Sequence, residues 1–436
     1  MSSFVPYFGN GLFTVAAFIV ALSIIVTIHE YGHYIVGRWS GIKAEVFSIG
    51  FGKVLISRVD KHGTRWQIAA IPLGGYVKFK GDANAASVGG TGGARDTMLG
   101  APLWARSATV AAGPVFNFIL TVIVFIGIAF AVGVPAKPLI LKTIPTLPET
   151  YVQDLQVGDR ILEIDGIAVD DAEAFWAALD QVDYAPAIDY AIIRDDVQMV
   201  VQGPYPQTTT VLGVNFDSAA AEAGVREYDV ITAIDGAPVW AFDQMVEIVS
   251  ASDGKTLTLS IWREGAMLDI DVTPRKTDLP TADGFETRWL LGVNGGVFAE
   301  FDSETPSFGQ AVTYGFAQLG YVINTSLSAM KHMITGQIST CNLSSPVGIA
   351  EASAAMAKAG LLDFVGFIGF LSAAVGLLNL FPIPVLDGGH LVFHAYEAVT
   401  GRQPSDRAMR LLVTVGLALV LTLTLFGLLN DIVLCP

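Results

Sequence analysis

Residues 28–34 read IHEYGHY, and the stretch before them, GLFTVAAFIVALSIIVTI, is apolar throughout. Two histidines and a glutamate at the end of such a run are expensive. An acidic side chain near the centre of a bilayer costs about 2.5–3.5 kcal/mol on insertion scales, so an intramembrane ionisable group signals a site. His29 and His33 are four residues apart and share one helix face, with Glu30 following the first. In H-E-x-x-H patterns the histidines bind Zn2+ and the glutamate serves as general base. A bound ion offsets the cost of burying the cluster.

The rest of the chain supports a membrane setting. Its 436 residues have a mean hydropathy of +0.53 and are only 15% charged, too apolar for an ordinary soluble protein. Four runs, 11–33, 107–134, 363–386 and 409–430, are long enough to cross a hydrocarbon core. The first lacks a basic leader region and a small-x-small cleavage site, so it is expected to be retained. Residues 34–106 carry ten Lys/Arg against four Asp/Glu, whereas 134–320 carry thirty acids against ten bases. The basic loop is expected on the cytoplasmic side. That places both termini and the acidic region, source of the net charge of −16, outside the cytoplasm. The acidity argues against nucleic acid as a partner. Cys341 and Cys435 form no disulfide framework and read as isolated thiols.

The acidic region repeats itself. DRILEIDGIAV (159–169) and DVITAIDGAPV (229–239) align without gaps at an offset of 70, identical at six of eleven positions. Each reads as strand, Asp-Gly turn and helix, and the second continues into two strands joined by an Arg-Glu-Gly turn. SAAAEAGVREYDVITAIDG resembles the opening of a bacterial PDZ domain. ETYVQDLQVGDRILEIDG resembles a diverged one, with Asp154 where the second copy has Gly224. PDZ domains capture extended peptides or C-termini by strand addition. A spacer or size filter without a ligand is the other reading of either copy.

A catalytic zinc takes three protein ligands and keeps one position open. Asp387, in NLFPIPVLDGGH (379–390), is the candidate third ligand. It lies at the end of the third run, where spans one and three, running antiparallel, bring the two polar clusters to one depth. Pro382 and Pro384 deny that run a regular helical end, leaving irregular backbone to line a wet cavity. His390 and His394 are also four apart, but Leu391 replaces the glutamate, so a second metal site is not expected.

HEYGH, LDGG and the PDZ-like copies between them resemble the site-2 protease family of intramembrane zinc metalloproteases, most closely its bacterial RseP type. FSIGFG (47–52), IPLGGYVK (71–78), GPVFN (113–117) and SPVGIAEA (345–352) extend the likeness over the whole chain. The resemblance implies that His29, His33 and Asp387 bind zinc, that Glu30 activates water, and that Asn379 positions substrate or stabilises its oxyanion. It also implies that Asn117 lies near the active site. Residues 43–81 would form a membrane-associated β-hairpin whose edge, with Gly74, Gly75 and Tyr76, holds substrate as an extended strand, beside Pro382 and Pro384.

The expected fold is a polytopic α-helical membrane protein with four transmembrane helices, a membrane-associated β-hairpin and two tandem PDZ-like α+β domains. Its divisions are a first span with HEYGH (1–38), a cytoplasmic-side loop with the hairpin (39–106), a second span (107–134) and PDZ-like copies at 135–205 and 206–280. A connecting region with an amphipathic helix (281–360), a third span with LDG (361–388), and a loop with the fourth span (389–436) follow. The amphipathic stretch 311–336 is expected on the outer membrane surface, and 81–96, rich in Gly and Ala, as a loop. The expected activity is cleavage of single-pass membrane proteins in the inner membrane, the active site toward the cytoplasm. The substrate implied is an anti-sigma factor already trimmed outside, with signal-peptide remnants as a further class. The alternative is a non-catalytic membrane PDZ scaffold with a structural metal site; an intact Glu30 argues against it.

Overall fold

The structure is a computed structural model describing residues 4–81, 93–215, 218–281, 284–339 and 345–430. Cys341, Cys435 and most of the Gly/Ala-rich loop lie outside these. The described helices, in chain order, are α1 (Phe4–Trp39), α2 (Leu103–Val132), α3 (Ala172–Leu179), α4 (Ala219–Ala223), α5 (Phe242–Ser250), α6 (Phe308–Ile334), α7 (Pro346–Ala359), α8 (Leu361–Asn379), α9 (Asp387–Thr400) and α10 (Asp406–Leu429). Two compact units result, one of residues 1–129 with 307–436, the other of residues 130–306.

The first unit holds four helices long and apolar enough to span a membrane, at Gly11–Trp39, Leu103–Val132, Leu361–Asn379 and Arg407–Leu429. Of these, α1, α2 and α8 meet through small residues, as suits helices packed in lipid. A Cβ on Gly32 would stand 2.5 Å from the Ala112 carbonyl oxygen, and one on Gly376 would reach Asn117 and Pro114 of α2. Thr121 Oγ1 donates to Gly369 O (2.8 Å) and Ser372 Oγ to Asn117 O (2.9 Å), tying α2 to α8. Pro114 lies inside α2, where its missing N–H leaves the Val110 carbonyl without its helical donor.

The third apolar run departs from its expected extent. Read as 363–386, it is helical only to Asn379; residues 380–386 are irregular, and a separate helix starts at Asp387. Pro382 and Pro384 cannot extend the hydrogen-bond ladder, so Asp387 opens α9 instead of closing a span. The amphipathic helix α6 packs on α2, with Tyr314 edge-on to Phe125 and Gly315 against Val122.

Between α1 and α2 the chain forms strands β1 (Ala44–Val59) and β2 (Arg65–Phe79). Both bend, so four segments lie side by side: 75–79, 44–49, 65–68 and 56–59. Phe47 is opposite both Val77 and Trp66, while Ser57 is opposite Gln67. The bend in β1 falls at Gly50 and Gly52, both with φ above +80°, a conformation open to glycine. Phe47 and Trp66 stack at 4.3 Å and pack on Tyr34 of α1. Asp60, in the turn, accepts from Tyr34 Oη, Trp66 Nε1 and the His62 and Thr64 amides. Beyond this anchor, Leu55, Ile56, Val59 and Leu73 are exposed.

The second unit is a duplication carried down to single hydrogen bonds. Strands Arg160–Ile164, Ile167–Ala168, Ile188–Arg194 and Val197–Gly203 form one four-stranded sheet, and Val230–Ile234, Ala237–Pro238, Leu257–Arg263 and Ala266–Val272 form another of the same order. The Asp-Gly turns have positive φ at both residues (Asp165 and Gly166, Asp235 and Gly236), the type I′ geometry. Asp159, 1% exposed, pairs with Arg194, and its counterpart Asp229, also 1% exposed, pairs with Arg263. The same arginines donate to the carbonyls of Asp154 and Gly224.

The repeat does not disclose what closes the two sheets' cores. Val293–Asn294 pairs with Gly213–Val214, and Glu300–Phe301 pairs with Leu141–Thr143. Leu291 is buried in the core of the second copy, and Phe298 and Ala299 in the core of the first. One downstream segment therefore completes both.

Candidate active site

α1 delivers His29 and His33 on the face turned toward α2, where Gly113 leaves room for them. A Cβ on Gly113 would come within 2.4 Å of His33 Nε2 and 2.7 Å of His29 Nε2. His33 Nδ1 donates to the Thr109 carbonyl (2.8 Å), which leaves Nε2 with its lone pair exposed. His29 Nδ1 faces the Asn117 amide at 3.2 Å, while Asn117 Oδ1 is buried without a hydrogen bond. With the amide turned so that oxygen and nitrogen exchange places, Oδ1 accepts from His29 Nδ1–H, which leaves His29 Nε2 with its lone pair. Both histidines then present Nε2 to the same point.

Asp387 arrives from the other side, as the first residue of α9. A helix N-terminus favours a carboxylate. The two glycines after it let the turn press against the preceding loop: a Cβ on Gly388 would meet Leu380 O at 2.2 Å, and one on Gly389 would meet Ile383 O at 2.3 Å. Asp387 Oδ2 lies 3.1 Å from His29 Nε2 and 3.5 Å from His33 Nε2, and the two nitrogens are 3.1 Å apart. Ligand atoms 2.0–2.1 Å from a tetrahedral centre stand about 3.3–3.4 Å apart. Three acceptor atoms at these separations, in a buried site, fit a zinc ion and its charge.

The trio opens onto a cavity of about 750 Å³, also lined by Glu30, Gly75, Tyr76, Asn379 and Pro384. Gly75 runs directly over Glu30, where a Cβ would sit 3.2 Å from Glu30 Cγ, and the Val77 amide donates to the Glu30 carboxylate. Segment 75–79, an outer segment of the folded hairpin, thus borders the site. Asn379 is on the wall, its Nδ2 donating back to Val375 O at 3.1 Å. Three anticipated residues are not on the wall. Asn117 is fully buried behind His29, Gly74 packs on the Phe51 ring, and Pro382 is exposed.

Farther from the trio, Arg106 of α2, 7% exposed, makes a two-point ion pair with Glu397 of α9 (3.0 and 2.6 Å). The guanidinium holds the Glu397 carboxyl below the usual glutamate range. Burial, with Arg106 nearby, pushes His394 down to about 4. None of Thr109, Gly113, Arg106 or Glu397 was singled out by sequence reasoning. Thr109, Gly113 and Asn117 do recur every fourth residue, so a facing stripe on α2 was available as a signal.

The comparisons identify the family. The model for peptidase family M50 matches residues 17–423. A protein of Agrobacterium fabrum named as a candidate zinc metalloprotease is 35% identical over 432 residues, covering 96% of this chain and 95% of its own. A similarly named protein of Rhizobium meliloti is 35% identical, covering 97% of each. The regulator of sigma-E protease RseP of Salmonella typhimurium is 34% identical, covering 96% of this chain and 98% of its own. With four candidate spans and a partly buried His-His-Asp trio, the chain belongs to peptidase family M50, the site-2 proteases, and is an intramembrane zinc metalloprotease of regulated intramembrane proteolysis.

Proposed function

We propose that His29, His33 and Asp387 hold the zinc and that Glu30 is the general base for peptide hydrolysis. The observation that carries this is the convergence of three acceptor atoms within 3.5 Å from segments more than 350 residues apart. Zinc held by these three residues would supply a Lewis acid and lower the pKa of a water to about 7. The Glu30 carboxylate takes the proton of the attacking water as the water's oxygen adds to the scissile carbonyl carbon, and returns it to the amide nitrogen as the C–N bond breaks. Thr109 and Asn117 hold the histidine rings in the tautomer with Nε2 unprotonated. Asn379, once released from Val375, is placed to donate to the oxyanion or to orient substrate.

A peptide bond inside a helix is shielded, so the substrate must unwind locally, and its freed backbone groups need partners in lipid. Segment 75–79 of β2, with Gly75 and Tyr76 on the cavity wall, offers a strand edge for that purpose, and Gly74 permits the bend before it. The exposed apolar tip of the hairpin suits association with lipid. Pro384 lines the cavity and Pro382 stiffens the loop beneath it.

The substrates are single-pass membrane proteins of the inner membrane. The RseP likeness favours an anti-sigma factor trimmed on its outer side, and signal-peptide remnants fit the same cavity. The two copies in residues 130–306 are read as PDZ-like domains that face the periplasm with both termini, the active site lying toward the cytoplasm. They admit extended peptides or C-termini, or obstruct substrates with intact outer domains. The acidic surface leaves no role for nucleic acid.

The test pairs zinc content with cleavage of a single-span substrate, comparing native protein with Glu30→Gln in detergent. The proposal expects about one zinc on each and cutting by the native form alone. Zinc on both with equal cutting removes Glu30 from the chemistry, and zinc on neither removes the trio as its site. Zinc on both with no cutting of trimmed or intact spans favours a scaffold with a structural metal.

A further inference from the structure

His390 has no role in the reaction as derived, yet its position calls for one. It follows Asp387 by three residues on α9, which places the two side chains on the same helix face about 5–6 Å apart at Cβ. The opposite face, Gly388 and Gly389, is pressed against the backbone of Leu380 and Ile383, so the turn is locked with Asp387 and His390 toward the cavity they both line. Among the described residues the His390 ring touches Phe393 edge-on, and no protein group is hydrogen-bonded to it. The amide of Asn379, by contrast, is turned back onto its own helix. The cavity therefore holds an uncommitted imidazole beside the trio.

We propose that His390 is a catalytic residue that donates a ring N–H to the oxyanion of the tetrahedral intermediate. A neutral imidazole always carries one N–H. Aimed at the charge that develops as water adds to the carbonyl, it stabilises the transition state more than the neutral ground-state carbonyl. No proton changes hands in this role; the base remains Glu30. The inference rests on the zinc site proposed above.

The experiment uses the full chain in detergent with a single-span substrate and a phosphinate peptide as tetrahedral mimic. His390→Ala is expected to retain zinc and KM while kcat falls by about 100- to 1,000-fold. Phosphinate affinity, read by direct titration, should weaken in the same direction. His390→Gln, which keeps a donor, should recover part of both. A kcat within about threefold of native overturns the proposal, since that is under 1 kcal/mol of barrier. So does loss of zinc, which would make His390 a support for Asp387, or a fall in kcat with phosphinate affinity unchanged. The Glu30→Gln control separates the failures: if it cuts normally, the underlying site reading is at fault.

Discussion

At the scale of single residues, the site depends on one missing side chain and one amide. Gly113 is where α2 passes beneath both histidines, and a methyl group there would overlap the ring nitrogens. The atoms met are the two histidine rings themselves, so the contact is relieved by turning them away from the point they share. Gly113→Ala is therefore expected to lose zinc and cleavage together, whereas Gly127→Ala, on the same helix with open space around it, should lose neither; metal analysis of the two purified proteins decides. Asn117 is the complementary case. If its oxygen orients His29, Asn117→Asp preserves the acceptor, while Asn117→Ala leaves the ring free to turn. Loss of such a partner to a metal-binding histidine costs about 10- to 100-fold in affinity, which competition with a chelator would resolve. Equal affinity in native and alanine forms would return Asn117 to a packing role.

At the scale of elements, the ends of α1 and α9 must be held for the trio to stay assembled. Asp60 ties the hairpin turn to the end of α1 through Tyr34 and Trp66. Burial works against ionisation there, but hydrogen bonds from Trp66, the His62 and Thr64 amides and Tyr34 prevail, lowering its pKa to about 2. A depressed folded-state value means the tether contributes fully above the unfolded value of about 3.9 and is lost as pH falls through about 2. Hydrogen exchange across residues 60–66 should rise over that window in native protein, and an Asp60→Asn variant should show no such step. On α9, Glu397→Ala would leave the Arg106 guanidinium buried and unpaired, a destabilisation of about 3 kcal/mol. Arg106→Met with Glu397→Leu should recover most of that loss in thermal unfolding. If the single variant unfolds like native protein, the pair is not what fixes α9 on α2.

At the scale of the whole molecule, legibility divided along a physical line. HEYGH and LDGG could be read because a charge in an apolar run is a local anomaly, and the duplication because gapless alignment needs no structure. The spans were legible from hydropathy, except where Pro382 and Pro384 cut the third short and shifted Asp387 onto a new helix. Arg106 with Glu397 and the strands closing the repeats were not legible. Each acts through contact with a distant segment, and strand pairing of two residues leaves no periodic trace. The repeat suggested divisions ending near residue 280, yet Leu291, Phe298 and Ala299 are buried in the two cores upstream. A fragment of residues 130–280 would expose the pockets those side chains fill. Removing a buried leucine or phenylalanine typically costs about 2–5 kcal/mol, comparable in sum to the 5–15 kcal/mol stability of a domain. A fragment of residues 130–306 is accordingly expected to unfold cooperatively, with near-ultraviolet circular dichroism from packed aromatics. The shorter one should lack that signal and bind a hydrophobic dye. Cooperative unfolding of both at similar temperatures would show that each copy is complete within its own repeat, and that the shared segment merely decorates them.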